Sequence, residues 1–233
     1  MELVGQLENN LLEQLPELGD VTSGPVTVDI AVNADSLGTW FLPAMAAFAE
    51  GSNVLLNIAV DDQDHTADRL KRGRVLAAVT SMSEPVAGCT VTALGQLRYV
   101  ATASPEFIRR YLSEGVNADA MRRAPALTFN QKDNMQQDWL AANFATTSAP
   151  PTHWLPSTQG FVEASLLGMG WSLNPIALVR DHIEAGRLVE LVPGATTDIP
   201  LYWQVSRWAE SHFPELTRQV VGAAKASLLP RNE

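Results

Sequence analysis

The chain has 233 residues, 46% hydrophobic and 18% charged, and its 16 basic and 26 acidic side chains give a formal charge of −10. That length can bury a sizeable core in one large domain or two lobes, and no apolar run approaches the roughly 18–20 residues of a membrane span. A surface of this sign repels phosphate backbones, which disfavours DNA binding by the chain alone and is compatible with a cationic ligand.

From the N-terminus, Leu3, Val4, Leu7, Leu11, Leu12 and Leu15 form a near-helical stripe over residues 2–15. Pro16 and Gly19 stop it, and residues 21–25 read as a linker. The stripe is either a helix packed on its own domain or the tail of a longer connecting helix. Val26, Val28, Ile30 and Val32 alternate with Thr27, Asp29 and Ala31, which predicts a strand. Leu37, Trp40, Phe41, Ala44 and Phe48 mark a helix face, with Pro43 predicted to kink it or set its first turn apart. Val54, Leu56, Ile58 and Val60 predict a second strand, residues 65–73 a short helix ending at glycine, and 75–80 a buried strand. Residues 88–94 and 97–103 read as two further strands, and Ser104-Pro105-Glu106 as a helix start with Ser104 as its cap.

The second half repeats the style. Strands are predicted at 126–130, from Trp154 into the Ser157 turn, and at 170–173, 188–192 and 201–205. Helices are predicted at 134–143, 161–167, 175–185 and 213–229. Alternating β and α elements imply mostly parallel sheets with helices on both faces.

Catalytic chemistry is hard to find. His65, His153, His182 and His212 lack metal-ligand spacing, and no G-x-S-x-G, Walker A or H-E-x-x-H motif occurs. Gly168-Met169-Gly170 reads as a helix C-cap and turn rather than a nucleotide site. No metal or cofactor is expected, and no acid–base pair can be assembled. Cys89 is alone and cannot form an internal disulfide, and the first eight residues lack a secretory signal, so the expected location is a reducing cytoplasm.

What stands out instead is a pair of strand-to-helix turns that each carry hydroxyls. Ser36 follows a strand and opens a helical run, where its hydroxyl could cap the helix and also reach an anion; helix capping alone is the other reading. Ser157 and Thr158 have the same setting and the same two readings. The acidic turn Asp61-Asp62-Gln63-Asp64 is either a solvated loop or a carboxylate facing an ammonium or guanidinium. Phe129-Asn130-Gln131-Lys132-Asp133 occupies the matching turn of the second half, where Asn130 offers donor and acceptor, and Asp133 offers charge or a plain cap. Two such turns half a chain apart suggest two lobes closing on a small ligand.

Residues 31–43, the segment 60–80 and Pro200-Leu201-Tyr202-Trp203 resemble the effector-binding domain of LysR-type transcriptional regulators, and within that family the ArgP/LysG branch. The most specific stretch is Asn33-Ala34-Asp35-Ser36-Leu37-Gly38-Thr39-Trp40-Phe41. The resemblance, over about residues 26–229, implies an α/β fold of two Rossmann-like lobes joined by two crossover strands, like a periplasmic binding protein. The implied division is 1–25 for the end of a linker helix and linker, 26–101 plus 206–233 for the first lobe, and 102–205 for the second. It implies effector contacts at Ser36, at Asp62, Gln63 and Asp64, and at Thr80 and Ser81, while Thr39 joins Ser36 as a residue whose chemistry suits an α-carboxylate. In the other lobe the implied contacts fall at Phe129 and Asn130, and at Ser157, Thr158 and Phe161, while Asp133 suits a positive group by its chemistry.

The implied function is sensing of a basic amino acid (lysine, arginine or histidine) to control transcription of an amino-acid exporter gene, with no enzymatic activity. A solute-binding protein or an enzyme on the same two-lobe fold is the alternative. The family's winged helix-turn-helix has no counterpart here, so Met1 is expected to be a truncation start and DNA contact to require a missing N-terminal domain. The family also implies a homodimer through the first helix and second strand, which would bring Ala44, Ala47, Phe48 and residues 54–58 to or near a two-fold interface, and a tetramer at full length.

Overall fold

A computed structural model describes residues 26–61, 66–146 and 148–231. The helix expected over 2–15 and the candidates Asp62, Gln63 and Asp64 lie outside the described residues. The chain divides into two compact units, one running to Gly95 and resuming at Pro200, the other Gln96–Ile199.

In the first unit, β1 (Val26–Asn33) lies between β2 (Val54–Asp61) and β3 (Ala77–Thr80), parallel to both. A central strand is covered on both faces, so Ile30, Ala31 and Val32 are all fully buried although the sequence alternates. Asp29 keeps its place because Asn57 Nδ2 donates to it at 2.5 Å from the neighbouring strand. Between β1 and β2 runs α1, which has three parts: an α-helical turn Ala34–Ser36, a π-helical turn Leu37–Phe41 and an α-helix Leu42–Glu50. The kink expected at Pro43 takes the form of that π turn, with proline at the start of the following helix, where its missing N–H costs nothing. Next, α2 (Thr66–Lys71) leads through Gly73, at φ 64°, into β3.

The segments 88–94 and 97–103 form one strand, β4 (Cys89–Ala103), rather than two. It begins in the first unit and ends in the second, while β9 (Thr196–Ser206) makes the return passage and pairs antiparallel with β3. The expectation of mostly parallel sheets is corrected accordingly. β9 runs against β3 while β1, β2 and β3 are parallel, so the sheet that holds them is mixed. The helix expected over 213–229 is α9 (Pro214–Ser227), and a short helix that was not expected, α8 (Arg207–His212), precedes it. Trp203 anchors them: its indole donates to Thr217 Oγ1 at 3.0 Å, and Thr217 donates on to Glu210 Oε2 at 2.7 Å. Phe48 meets Phe213 edge-on at 6.5 Å.

In the second unit, β4 pairs antiparallel with β7 (Ser172–Pro175) and β8 (Val189–Glu190), and β5 (Ala126–Thr128) pairs parallel with β6 (Thr152–Trp154). Trp154 therefore ends a strand instead of beginning one. Helices α3 (Pro105–Tyr111), α4 (Ala118–Met121), α5 (Met135–Phe144), α6 (Thr158–Leu166) and α7 (Ile176–Glu184) complete the unit. Ser104 caps α3 as expected, accepting from Phe107 N at 3.2 Å. Trp139 and Trp171 pack at 5.4 Å in its core. Gly170 is tightly packed there, since a Cβ would lie 2.8 Å from Leu127 Cδ2 and 3.0 Å from Pro125 O.

Candidate functional site

Parallel strands place the residues that follow them at one edge of a sheet, which is where α/β proteins bind small ligands. In the first unit β1 and β2 end in register, Asn33 beside Asp61. The β1–β3 register pairs Ala31 with Ala78, so two residues further on Thr80 comes level with Asn33. The ends of β1, β2 and β3, at Asn33, Asp61 and Thr80, thus lie at the same sheet edge. In the second unit Thr128 pairs with Trp154, and Leu155 N donates to Thr128 O at 2.9 Å. The Phe129–Asp133 turn and the Ser157–Thr158 turn consequently start side by side.

Ser36 is fully buried, but it does not cap the helix. The helix starts at Ala34, so the cap position falls to Asn33, whose side chain makes no capping bond, and Ser36 has helical dihedrals. Its Oγ has no hydrogen-bond partner, nor have Asn33 Nδ2 and Oδ1 or Trp40 Nε1. Thr39 behaves differently: its hydroxyl donates to Asp35 O at 2.6 Å and is spent within its own helix. Thr80 is buried, and its Oγ1 accepts from Met82 N at 3.2 Å, which shapes the turn that carries half-buried Ser81.

In the second unit the polar groups largely organise their own turns. The carboxylate of Asp133 accepts from Phe129 N at 3.1 Å and from Met135 N at 3.0 Å, tying the turn to the first residue of α5. Asn130 Oδ1 accepts from Lys132 N at 2.7 Å. Ser157 is the cap of α6, accepting from Gly160 N at 3.0 Å, and Thr158 is buried. Phe161 packs with Leu127, Phe129 and Leu155 beneath these turns. The geometry of the Asp133 carboxylate is thus set by the backbone.

Sequence reasoning missed four buried polar side chains. Asn33 reads as the end of a strand and Trp40 as core, and only the unspent hydrogen-bonding groups distinguish them. Gln136 on α5 is buried with Oε1 unpartnered. Asn174 on β7 donates to Thr102 Oγ1 at 3.0 Å and Ser172 Oγ at 2.8 Å but leaves Oδ1 unpartnered. A polar side chain inside the strand Ser172-Leu173-Asn174 was the one available signal for it.

Other chemistry is sparse. Among the described residues no group of three or more His, Cys, Asp or Glu could hold a metal, and no helix is long and apolar enough to cross a membrane. Burial pushes the Cys89 thiol above its ordinary range, against the opposing charge of Arg207, which suits a packed and inert side chain. The residues named for a two-fold interface differ in burial. Ala44 and Phe48 are buried inside the first unit, whereas Leu42 and Leu55 are 52% and 54% exposed.

The sequence pattern described as the LysR substrate binding domain matches residues 23–227. The chain is 40% identical over 230 residues to the HTH-type transcriptional regulator ArgP of Pseudomonas fluorescens Pf-5, covering 99% of this chain and 76% of that protein. Among solved structures it is similar to the C-terminal domains of a LysR family protein from Agrobacterium tumefaciens, with 59% identity, a TM-score of 0.86, and coverage of 88% of this chain and all of that one. It is also similar to full-length LysG from Corynebacterium glutamicum with bound effector Arg, with 32% identity, a TM-score of 0.79, and coverage of 99% and 76%.

Proposed function

We propose, on the premise that this chain belongs to the LysR substrate-binding domain family, that its effector-sensing role is exercised on a basic amino acid, arginine or lysine first, with histidine as the remaining candidate. The observation that carries the reading is the arginine bound as effector in the Corynebacterium LysG, to which the chain is similar over 99% of its length. Its own residues support it. A zwitterion with a cationic side chain needs donors for its carboxylate and negative charge for its ammonium or guanidinium groups. Ser36 has an unspent hydroxyl for the first task. Asp62, Gln63 and Asp64, which follow Asp61 in the chain, are the first unit's candidates for the second, and Asp133 is the second unit's. Thr39, Thr80, Ser81, Phe129, Asn130, Ser157, Thr158 and Phe161 complete the proposed contacts, with Thr39 contributing lone pairs only while its proton is held by Asp35 O.

The output is transcriptional control of an amino-acid exporter gene, with operator DNA held by a helix-turn-helix domain elsewhere in the regulator. Chains pair through α1 and β2. β2 is the outer strand of its unit, and Leu42 and Leu55 are exposed on these two elements beside small residues Ala46, Ala47 and Ala49. Calorimetric titration with the twenty amino acids tests the effector. Heat with arginine or lysine and none with acidic or apolar amino acids is expected, and silence with all basic amino acids refutes the reading. Sedimentation at tens of micromolar tests the pairing. A dimer is expected, converted to monomer by Leu55→Asp, and a monomeric parent refutes it.

A further inference from the structure

We infer that Asn33, Ser36 and Trp40 form a head-group subsite that recognises the α-ammonium and α-carboxylate of the effector together, leaving selection among side chains to other residues. The inference rests on the reading of the chain as an amino-acid sensor and assigns Asn33 and Trp40 roles within it.

Of the six buried side-chain polar atoms without a partner among the described residues, four belong to these three residues. Asn33, Ser36 and Trp40 are 1%, 0% and 2% exposed, so bulk water does not satisfy them either. A native chain rarely leaves buried polar groups unpaired, and a cluster of them calls for a cause. Trp40 is the exception to a rule the rest of the molecule follows. The buried indoles of Trp139, Trp171 and Trp203 donate to Ala195 O at 3.1 Å, Ala124 O at 3.3 Å and Thr217 Oγ1 at 3.0 Å.

The backbone groups the three residues. Asn33 and Ser36 are three apart at a helix start, and Ser36 and Trp40 are four apart across the π turn, whose wide winding keeps positions four apart on one side. Trp40 is held edge-on by Phe41 at 5.7 Å, and Phe41 rests on Trp203 at 6.3 Å, so the indole is fixed before any ligand arrives.

Donor and acceptor matching identifies the ligand class. The Trp40 indole can only donate, the Ser36 hydroxyl can donate or accept, and the Asn33 amide offers two N–H donors and one acceptor. A carboxylate accepts only and matches Trp40, Ser36 and Asn33 Nδ2. An ammonium donates only and matches Asn33 Oδ1. A carboxylic acid without an amine leaves Asn33 Oδ1 unmatched, and an amine without a carboxylate leaves Trp40 unmatched. An α-amino acid satisfies the set.

The test is calorimetric titration of the parent chain and Trp40→Phe with arginine and with argininamide, whose carboxylate is replaced by a neutral amide. Loss of a hydrogen bond to a charged group corresponds to about tenfold to a hundredfold in affinity. Trp40→Phe is expected to weaken arginine by that factor while changing argininamide by less than about threefold. Equal losses for both ligands would mean that Trp40 acts through packing, and an unchanged arginine affinity would mean that it acts not at all; either overturns the inference. If Trp40→Phe does not fold, benzothienylalanine at position 40, with sulfur in place of N–H, carries the same expectation. In the parent chain, equal affinity for arginine and argininamide overturns the subsite without any variant. A parent that binds no basic amino acid overturns the sensor reading and this inference with it. A parent that binds arginine while its variants are unaffected overturns this inference alone.

Discussion

Replacing Ser36 by alanine should raise stability and lower effector affinity, two effects of opposite sign from one oxygen atom. In the free protein Ser36 Oγ is fully buried without a partner, a condition that costs about 1–3 kcal/mol for a polar group. We take about 1 kcal/mol, since a rotating hydroxyl finds some weak compensation. Ser36 also has helical dihedrals, where alanine is favoured over serine by about 0.5 kcal/mol. The gain of about 1.5 kcal/mol corresponds to about 3–6 °C in Tm for a chain of this size. On the proposed reading the same hydroxyl donates to a carboxylate in the complex, so its removal should weaken arginine or lysine by about 1–2 kcal/mol, near tenfold. Thermal unfolding with and without saturating arginine reads both effects, and the ligand-induced shift should shrink as the ligand-free Tm rises. A fall in the ligand-free Tm would show that the hydroxyl is bonded in the native state. A higher Tm with unchanged affinity would make Ser36 a structural residue only.

Gly95 lies at φ 133°, and a Cβ there would stand 2.6 Å from Leu229 O, so Gly95→Ala should destabilise by about 2 kcal/mol or more, seen as a lower urea midpoint; a neutral result would refute the close approach. The bidentate pair of Arg98 with Asp198, at 2.8 and 2.7 Å, raises the guanidinium pKa further through its hydrogen bonds, but both side chains are partly exposed. Asp198→Asn should therefore cost about 1 kcal/mol at most, less in molar salt, and a larger salt-insensitive loss would mean that the pair is not screened. Because burial raises the Cys89 thiol pKa, its contribution to stability is complete below the ordinary thiol pKa of about 8.5 and is lost as pH rises through the higher folded value. Alkaline destabilisation should thus be smaller in Cys89→Ala than in the parent, and parallel pH profiles would contradict the assignment.

The strands of the first unit were legible because apolar alternation and bounding turn residues mark them, whatever their final burial. Where sequence reading failed, a tertiary partner decided the outcome. Gly95 and Gln96 look like a break between two strands, yet pairing with β7 and β8 carries β4 on to Ala103, and Gly95 absorbs the irregularity with its positive φ. The start of β9 is similar: a strand is expected over 201–205, but it begins at Thr196 and includes Asp198, which meets Arg98. At the candidate site the turns were legible and the roles of individual atoms were not. Nothing local distinguishes Asn33 from any polar residue at a strand end, or Trp40 from a core aromatic.

Ser36 and Thr39 show why the accounting of hydrogen bonds carries more weight than residue type. Both bear hydroxyls, both lie in the first turns of one helix, and both suit an anion on sequence grounds. Thr39 spends its proton on Asp35 O one turn back, at 2.6 Å, while Ser36 is sealed from water with nothing to bond. The turns of the second unit divide in the same way, with Asp133, Asn130 and Ser157 bonded to nearby backbone. Bonded groups fix the shape of a turn before a ligand arrives, and unbonded buried groups raise the free energy of the empty state. A ligand that bonds them gains from its own contacts and from relief of that cost. The proposed site thereby predicts that effector binding and folding stability are linked through the same few atoms, and ligand stabilisation growing as RT ln(1 + [L]/Kd) should report on both.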